Sequence, residues 1–264
     1  MRIFGSNNIT TRFLAVWVRN WIVYLRTWKV NFLPPILEPI LYVAAFGMGF
    51  RLLVPSIQFH GQAMSYVQFI APALVAVSIM NSSFFETTYT SFVRMYYQKT
   101  FDAIMSAPVS VQEVITGEIV WGTARSIMTA AVMLVVLSCF GLIPWPQAFW
   151  IIPVAALGGF AFAAIGMMFT GIIPSIELFN LPVFLFITPM FLFAGTFFSV
   201  ETLPGWAQWF ALTLPLTHLV NLCREICCGS VTSSDSIAAV IYLIGFSAIF
   251  YPLALYTMKR RLIK

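Results

Sequence analysis

The sequence predicts an all-α integral membrane protein with six transmembrane helices, and three observations predict it. Of the 264 residues, 60% are hydrophobic and 9% charged, with a mean hydropathy of +0.91, whereas about a quarter of the residues of a soluble domain are charged. The apolar residues gather into stretches near the length of about 20 needed to cross the hydrocarbon core, and the chain holds roughly six of them. The basic residues, finally, collect on one set of the connections between these stretches. No separate soluble domain fits, so residues 1–264 are read as one membrane domain.

Residues 8–29 read as an amphipathic interface helix. Arg12, Arg19 and Arg26 recur seven apart, while Trp17, Trp21, Tyr24 and Trp28 follow at spacings of four, three and four. At about 100° per residue the arginines fall within about 40° of one another and the rings roughly 180° away. Such a helix is expected to lie in the membrane interface with its rings among the headgroups and its arginines toward anionic phosphates; packing on the protein's own spans is the alternative. Arg19 and Asn20 interrupt the apolar run from Phe13 to Leu25 and no small-residue cleavage site follows, so the segment is expected to be retained rather than removed as a signal peptide.

The spans are expected near 31–53, 64–90, 117–141, 148–173, 179–200 and 237–258. With both termini cytoplasmic, Arg2, Arg12, Arg19, Arg26, Lys29, Arg94, Lys99, Lys259, Arg260, Arg261 and Lys264 lie inside, against Arg51 and Arg224 outside. That asymmetry sets the orientation. Arg125 falls within the third span, where it is expected to snorkel or to pair with Glu118 or Glu86. The net charge of +5 therefore reports topology and implies no nucleic-acid partner.

Three connections stand out. The polar insert from Arg94 to Glu118 interrupts the apolar chain between the second and third spans and suggests a docking element. Gly141, Pro144 and Pro146 mark a compact turn. The long run from Ser199 to Asp235 is apolar but broken at Pro204, Gly205 and Pro215, so residues 200–225 read as short re-entrant helices. Irregular backbone at that depth survives only where protein or water covers it.

Absences narrow the chemistry. No Gly-Lys pair occurs, so the chain lacks the usual phosphate cradle of an ATPase. GxSxG and HExxH are missing too, and the histidines are His60 and His218, both expected outside with no carboxylate partner by motif. Cys139, Cys223, Cys227 and Cys228 have no ligand-spaced partners and read as buried or lipid-facing thiols, with no metal expected. Glu38 and Glu86 are carboxylates within spans, which are costly there and mark either a path or a structural pair.

Taken in order, several motifs resemble the permease subunits of ABC exporters of the second type. The first block is Phe85, Glu86, Thr87 and Tyr89, then Phe92, Arg94 and Met95, then Phe101 to Met105, then Gly117, Glu118 and Trp121. The second runs from Ile187, Thr188, Pro189 and Met190 to Gly195, then through Phe198, Leu203, Pro204, Leu214, Pro215, Leu216 and His218 to Leu222 and Arg224. Singly these are weak; together they extend over nearly the whole chain.

The resemblance implies a homodimer in a bacterial inner membrane, bound to two copies of a cytoplasmic ABC ATPase that carries ATP and Mg while this chain binds no cofactor directly. Residues 94–110 become the coupling helix, with Phe101, Ile104 and Met105 as an apolar knob, Lys99 and Asp102 orienting it by charge and Pro108 ending it. Glu118 and Arg125 are expected to carry movement into the membrane. The family is associated with lipid-linked or lipid-modified saccharides and with hydrophobic drugs, so the cargo is expected to be an amphiphile, with Asn81, Ser82, Phe85, Glu86, Met190, Phe193 and Phe197 as path residues and membrane lipids around them. The rival is a membrane-embedded lipid- or glycan-modifying enzyme, acyltransferase-like, using His218 or Glu86; a third reading is an ion channel.

Overall fold

Hydropathy and length lay out six crossings. The computed structural model, which describes residues 10–49, 57–59, 62–229 and 233–263, has six helices long and apolar enough to make them: Trp28–Gly47, Tyr66–Tyr97, Val111–Cys139, Gln147–Ile172, Ile176–Phe193 and Ser234–Leu262. The protein is a multi-pass membrane protein. Arg2, Arg51, His60 and Lys264 lie outside the described residues.

Helix α1 (Phe13–Arg26) precedes the first span, α2 (Trp28–Gly49). Pro34, Pro35 and Pro39 sit inside α2, and its apolar side chains, among them Leu33 and Leu41, are mostly exposed on this single chain. A short antiparallel hairpin, β1 (Ile57–Phe59) and β2 (Gln62–Met64), pairs Ile57 with Met64 and is the one strand pairing among the described residues.

The second span is the core of the bundle. Helix α3 (Tyr66–Phe85) begins at a capping box formed by Ser65 and Gln68, which satisfies two of the amide donors a helix start leaves open. Two π turns, Glu86–Thr90 and Val93–Tyr97, carry it on past its apolar stretch. The expected end near residue 90 is thus corrected to Tyr97. The physical reason is that the polar side chains beyond Phe85 find buried partners, so the helix does not need to stop where hydropathy falls.

Helix α4 (Thr100–Met105) is the one helix lying wholly within the polar insert, and α5 (Val111–Cys139) starts at a second capping box, Ser110 with Glu113. The third span therefore begins six residues before the expected Gly117. A 3-10 turn, Gln147–Trp150, leads into α6 (Ile151–Ile172). The fifth span is discontinuous: a 3-10 turn Ile176–Phe179, then α7 (Asn180–Pro182), a π turn Val183–Ile187 and α8 (Thr188–Phe193). It ends at Phe193 rather than near 200, because the chain turns at Gly195, whose φ of +75° is a conformation open chiefly to glycine.

Two short helices, α9 (Gly205–Leu212) and α10 (Pro215–Cys228), follow, and α11 (Ser233–Leu262) closes the bundle as the sixth span. Among α9 and α10, Arg224 is fully buried: its Nε donates to the Phe69 carbonyl at 3.1 Å and its Nη2 to those of Gly195 and Thr196 at 2.6 and 3.0 Å. The expected broken, apolar segment is thus a pair of helices pinned to α3 and to the end of α8. Most of the remaining basic residues gather at the other end of the bundle, called the basic end below.

Close packing of α6 on α3 depends on a missing side chain. A Cβ at Gly166 would stand 2.3 Å from Thr87 Oγ1 and 2.9 Å from the Phe84 carbonyl oxygen. Membrane helices associate through such small-residue contacts, since lipid gives no hydrophobic drive to bring them together. The apolar core falls into two clusters, one around Phe69, Ile79, Met80 and Phe84 of α3, the other at the basic end around Phe92, Phe101, Ile115, Phe179 and Met258.

A buried ion network behind the polar connection

The chemistry-bearing residues of the basic end converge on Arg94, in the second π turn of the second span. Its Nη2 contacts Glu118 Oε2 of α5 at 2.6 Å and its Nη1 contacts Glu86 Oε1 at 2.9 Å. Ser91 Oγ donates to the same Glu118 oxygen at 2.6 Å, and Asn20 Nδ2 of α1 donates to Glu118 Oε1 at 2.8 Å. Glu86 also receives Trp121 Nε1 at 2.8 Å and forms an ion pair at 3.5 Å with Arg125 Nε, without a hydrogen bond. The Arg125 guanidinium lies over the Tyr24 ring, 4.7 Å from its centre.

Two cations, two carboxylates and their hydrogen-bond donors thus join α1, the second span and α5. A buried pair attracts strongly in a low-dielectric site but costs heavily in desolvation, and holds only when the remaining lone pairs are satisfied. Here both oxygens of each carboxylate are engaged. Burial, and next the Arg94 guanidinium, lower the pKa of Arg19 from the ordinary arginine value, with Glu118 opposing them.

The face of α1 is corrected by this geometry. Trp17, Trp21 and Tyr24 pack edge-on against Trp121 of α5, at ring distances of 6.3, 6.4 and 5.8 Å. The rings therefore meet the protein, and Leu14, Val18, Ile22 and Leu25 are the exposed face. The buried strip is Val16, Asn20 and Tyr24, which runs from beside the arginine row into the aromatic row and requires close approach: a Cβ at Gly117 would meet Val16 Cβ at 2.6 Å. The start of α1 is clamped as well, by Thr10 N donating to Glu113 Oε1 at 3.1 Å and by Arg12 donating to the Pro108 carbonyl.

The expected docking residues divide in two. Arg94 belongs to the second span, so the helix of the insert is Thr100–Met105 and not residues 94–110. Phe101 is wholly buried in the basic-end cluster with Ile104 and Met105 packed partly against it; it anchors α4 and lies beneath the helix's exposed face. Lys99, at φ +52°, makes the turn into α4 with its Nζ 5.3 Å from the Tyr96 ring centre. The exposed face is Lys99, Asp102, Ala103, Ser106, Ala107 and Pro108.

The expected path residues do not converge. Glu86 is held in the ion network, and Met190 is fully buried in the core. Phe193 packs on Trp206 and Phe210 of α9, and Phe197 on Phe46 of α2 and Phe191. Asn81, Ser82 and Phe85 do share one partly exposed face of α3, where Ser82 Oγ meets Thr129 Oγ1 at 3.0 Å. Arg125 pairs with Glu86, while Glu118 pairs with Arg94. The sequence reading missed Arg94 as the hub and Asn20 as a partner; the four-residue repeat of Val16, Asn20 and Tyr24 was the available signal.

The residues proposed for enzymatic chemistry are otherwise engaged. His218 Nε2 is 2.9 Å from the Leu212 carbonyl, and its ring stacks on Tyr242 at 4.0 Å. Six helices long and apolar enough to cross a membrane, with a short helix at the basic end that buries Phe101 and exposes Asp102 and Ala103, fit the membrane subunit of a transporter. The chain belongs to the ABC-2 type transporter family, which its residues 11–228 match. It is 33% identical over 217 residues to Nodulation protein J of Rhizobium meliloti (strain 1021), covering 82% of this chain and 81% of that protein. It is 31% identical to Nodulation protein J of Rhizobium leguminosarum bv. viciae over 90% of this chain and 88% of the relative. The inner membrane transport permease YadH of Escherichia coli (strain K12) is 25% identical over 78% and 79% of the two chains. The protein is thus a membrane permease of an ABC exporter.

Proposed function

We propose that two copies of this chain form the membrane path of an ATP-driven exporter in a bacterial inner membrane, with both termini cytoplasmic, and that its cargo is a lipo-oligosaccharide or a similar amphiphile. Two separate ATPase subunits bind ATP and Mg and dock on α4. Their closure moves α4, and the ion network passes that movement to α1, the second span and α5 as one body, shifting the permease pair between its states. The observation that carries this reading is the position of α4: a six-residue helix anchored by buried Phe101, with exposed Asp102 and Ala103, directly beyond the span that holds Arg94.

The resemblance to exporters of lipid-modified saccharides motivates the saccharide cargo, and the partly exposed Asn81, Ser82 and Phe85 supply a polar and an aromatic contact for such an amphiphile. Co-expression with a candidate ABC ATPase subunit that co-purifies with this chain tests the docking. The wild type is expected to retain that ATPase through purification, and Asp102→Arg with Ala103→Arg to lose it while remaining folded. Retention by the double variant would refute docking on α4. Export of a labelled lipo-oligosaccharide from ATP-loaded vesicles tests the cargo.

A further inference from the structure

A cavity of about 620 Å³ opens at the basic end, where α6 and α11 finish, and Tyr96, Ile172, Pro174, Tyr256, Arg260 and Arg261 are among the residues lining it. Its size falls in the range of about 300–1,000 Å³ common to small-molecule sites. Among the described residues that line it, none is a carboxylate. Arg261 is committed to the protein, donating to the Thr170 and Ile173 carbonyls at the end of α6 and lying 5.1 Å from the Phe92 ring centre. Arg260 is exposed and forms no ion pair among the described residues.

Arg260 also ends a single stripe on α11. Ile249, Leu253, Tyr256 and Arg260 follow at spacings of four, three and four, which places them on one helical face. Ile249, Leu253 and Tyr256 are exposed, as is Ile172 across the cavity. From the middle of the span to its end, this face passes from aliphatic through aromatic to cationic. That is the order in which a bilayer passes from acyl chain through interface to phosphate.

We propose that this cavity binds the phosphate headgroup of an anionic membrane lipid, with Arg260 pairing the phosphate, the tyrosines at its rim and the acyl chains along Ile249, Leu253 and Ile172. A cation near a membrane surface favours anionic lipid severalfold, and a site bounded by an apolar stripe selects a lipid-borne phosphate over a free one. The cavity adjoins the docking face of α4, whose Lys99 lies 5.3 Å from the Tyr96 ring centre, but Arg260 and Tyr256 belong to α11 and not to that face, so their variants test lipid binding apart from docking.

The test uses the full chain, purified, delipidated and titrated with phosphatidylglycerol, phosphatidylcholine or inorganic phosphate, with retained lipid counted by native mass spectrometry. The wild type is expected to prefer phosphatidylglycerol, Arg260→Gln to lose roughly fivefold in that preference, and Arg260→Lys to keep most of it. Tyr256→Ala provides a second variant that leaves the charge in place and is expected to weaken retention of phosphatidylglycerol. An unchanged preference in Arg260→Gln would overturn the proposal. So would displacement of phosphatidylglycerol by millimolar inorganic phosphate, which marks a free-anion site, or loss of the ATPase from Arg260→Gln with lipid retention intact.

Discussion

Arg94 Nη2 lies 2.6 Å from Glu118 Oε2, and both side chains are almost wholly removed from solvent. The pair spans the second and third crossings at the point where the chain leaves for α4. Its partners differ: Glu118 keeps Asn20 and Ser91 if Arg94 is lost, whereas Arg94 keeps only Glu86 and Ser91 if Glu118 is neutralised.

Arg94→Met is expected to be the most damaging change in the network, because it removes the cation that both carboxylates share and leaves Glu118 with no ion pair among the described residues. Removing one member of a buried pair costs about 3–5 kcal/mol. Thermal unfolding of the purified protein in detergent should show a lower midpoint than for Glu118→Gln, which retains hydrogen-bonding groups. Equal midpoints would contradict Arg94 as the hub.

Gly117→Ala tests whether α1 is seated on α5. The new methyl would stand 2.6 Å from Val16 Cβ and 2.9 Å from the Phe13 carbonyl oxygen, and the latter is backbone that cannot rotate away. Overpacking of this kind costs about 1–3 kcal/mol. Limited tryptic digestion should cut faster at Arg12 and Arg19 in the variant, since α1 must lift to admit the methyl; unchanged cutting would mean that the helix accommodates it in place.

How much of this was legible in the sequence depended on what each signal measures. Hydropathy measures transfer of a stretch into lipid, so six crossings could be counted in advance. It cannot say where a helix ends when polar residues find buried partners, and so Arg94 was assigned to the insert rather than to the second span. The angular pattern of α1 separated the arginine row from the rings but did not reveal that Trp121 would meet those rings from another helix. Spacing likewise placed Phe101, Ile104 and Met105 together without telling inward from outward. The fifth span's early end at Gly195 left no hydropathy signature, because Thr196, Phe197 and Phe198 are as compatible with a buried loop as with a helix.

Phe101→Ala and Asp102→Ala separate anchor from surface on adjacent residues. Phe101 is fully buried among Phe92, Ile115 and Phe179, so its truncation is expected to cost about 3–5 kcal/mol in cavity and lost transfer energy. Asp102 is exposed with no ion pair among the described residues, so its truncation is expected to stay within about 0.5 kcal/mol. Unfolding midpoints read both, and a stable Phe101→Ala protein would return Phe101 to the docking face.

Arg224 and His218 lie on the same helix, six residues apart, and the fold predicts opposite sensitivities for them. The Arg224 guanidinium donates to the carbonyls of Phe69, Gly195 and Thr196 and lies 3.7 Å from the Phe69 ring centre. Two segments distant in sequence, α3 and the turn at Gly195 and Thr196, meet on one planar group, and a lysine has neither the fork nor the reach to serve all three carbonyls. Hydrogen bonds from a charged donor contribute about 1.5–3 kcal/mol each, so Arg224→Lys is expected to lower the unfolding midpoint and the yield of folded protein. Among the described residues His218 bonds only to the Leu212 carbonyl and stacks on Tyr242. His218→Phe keeps the stacking and loses one neutral hydrogen bond, about 0.5–1.5 kcal/mol, and ATP-driven export by the reconstituted complex should persist within about threefold. Complete loss of export by a folded His218→Phe protein would assign the imidazole a chemical part that its contacts do not require.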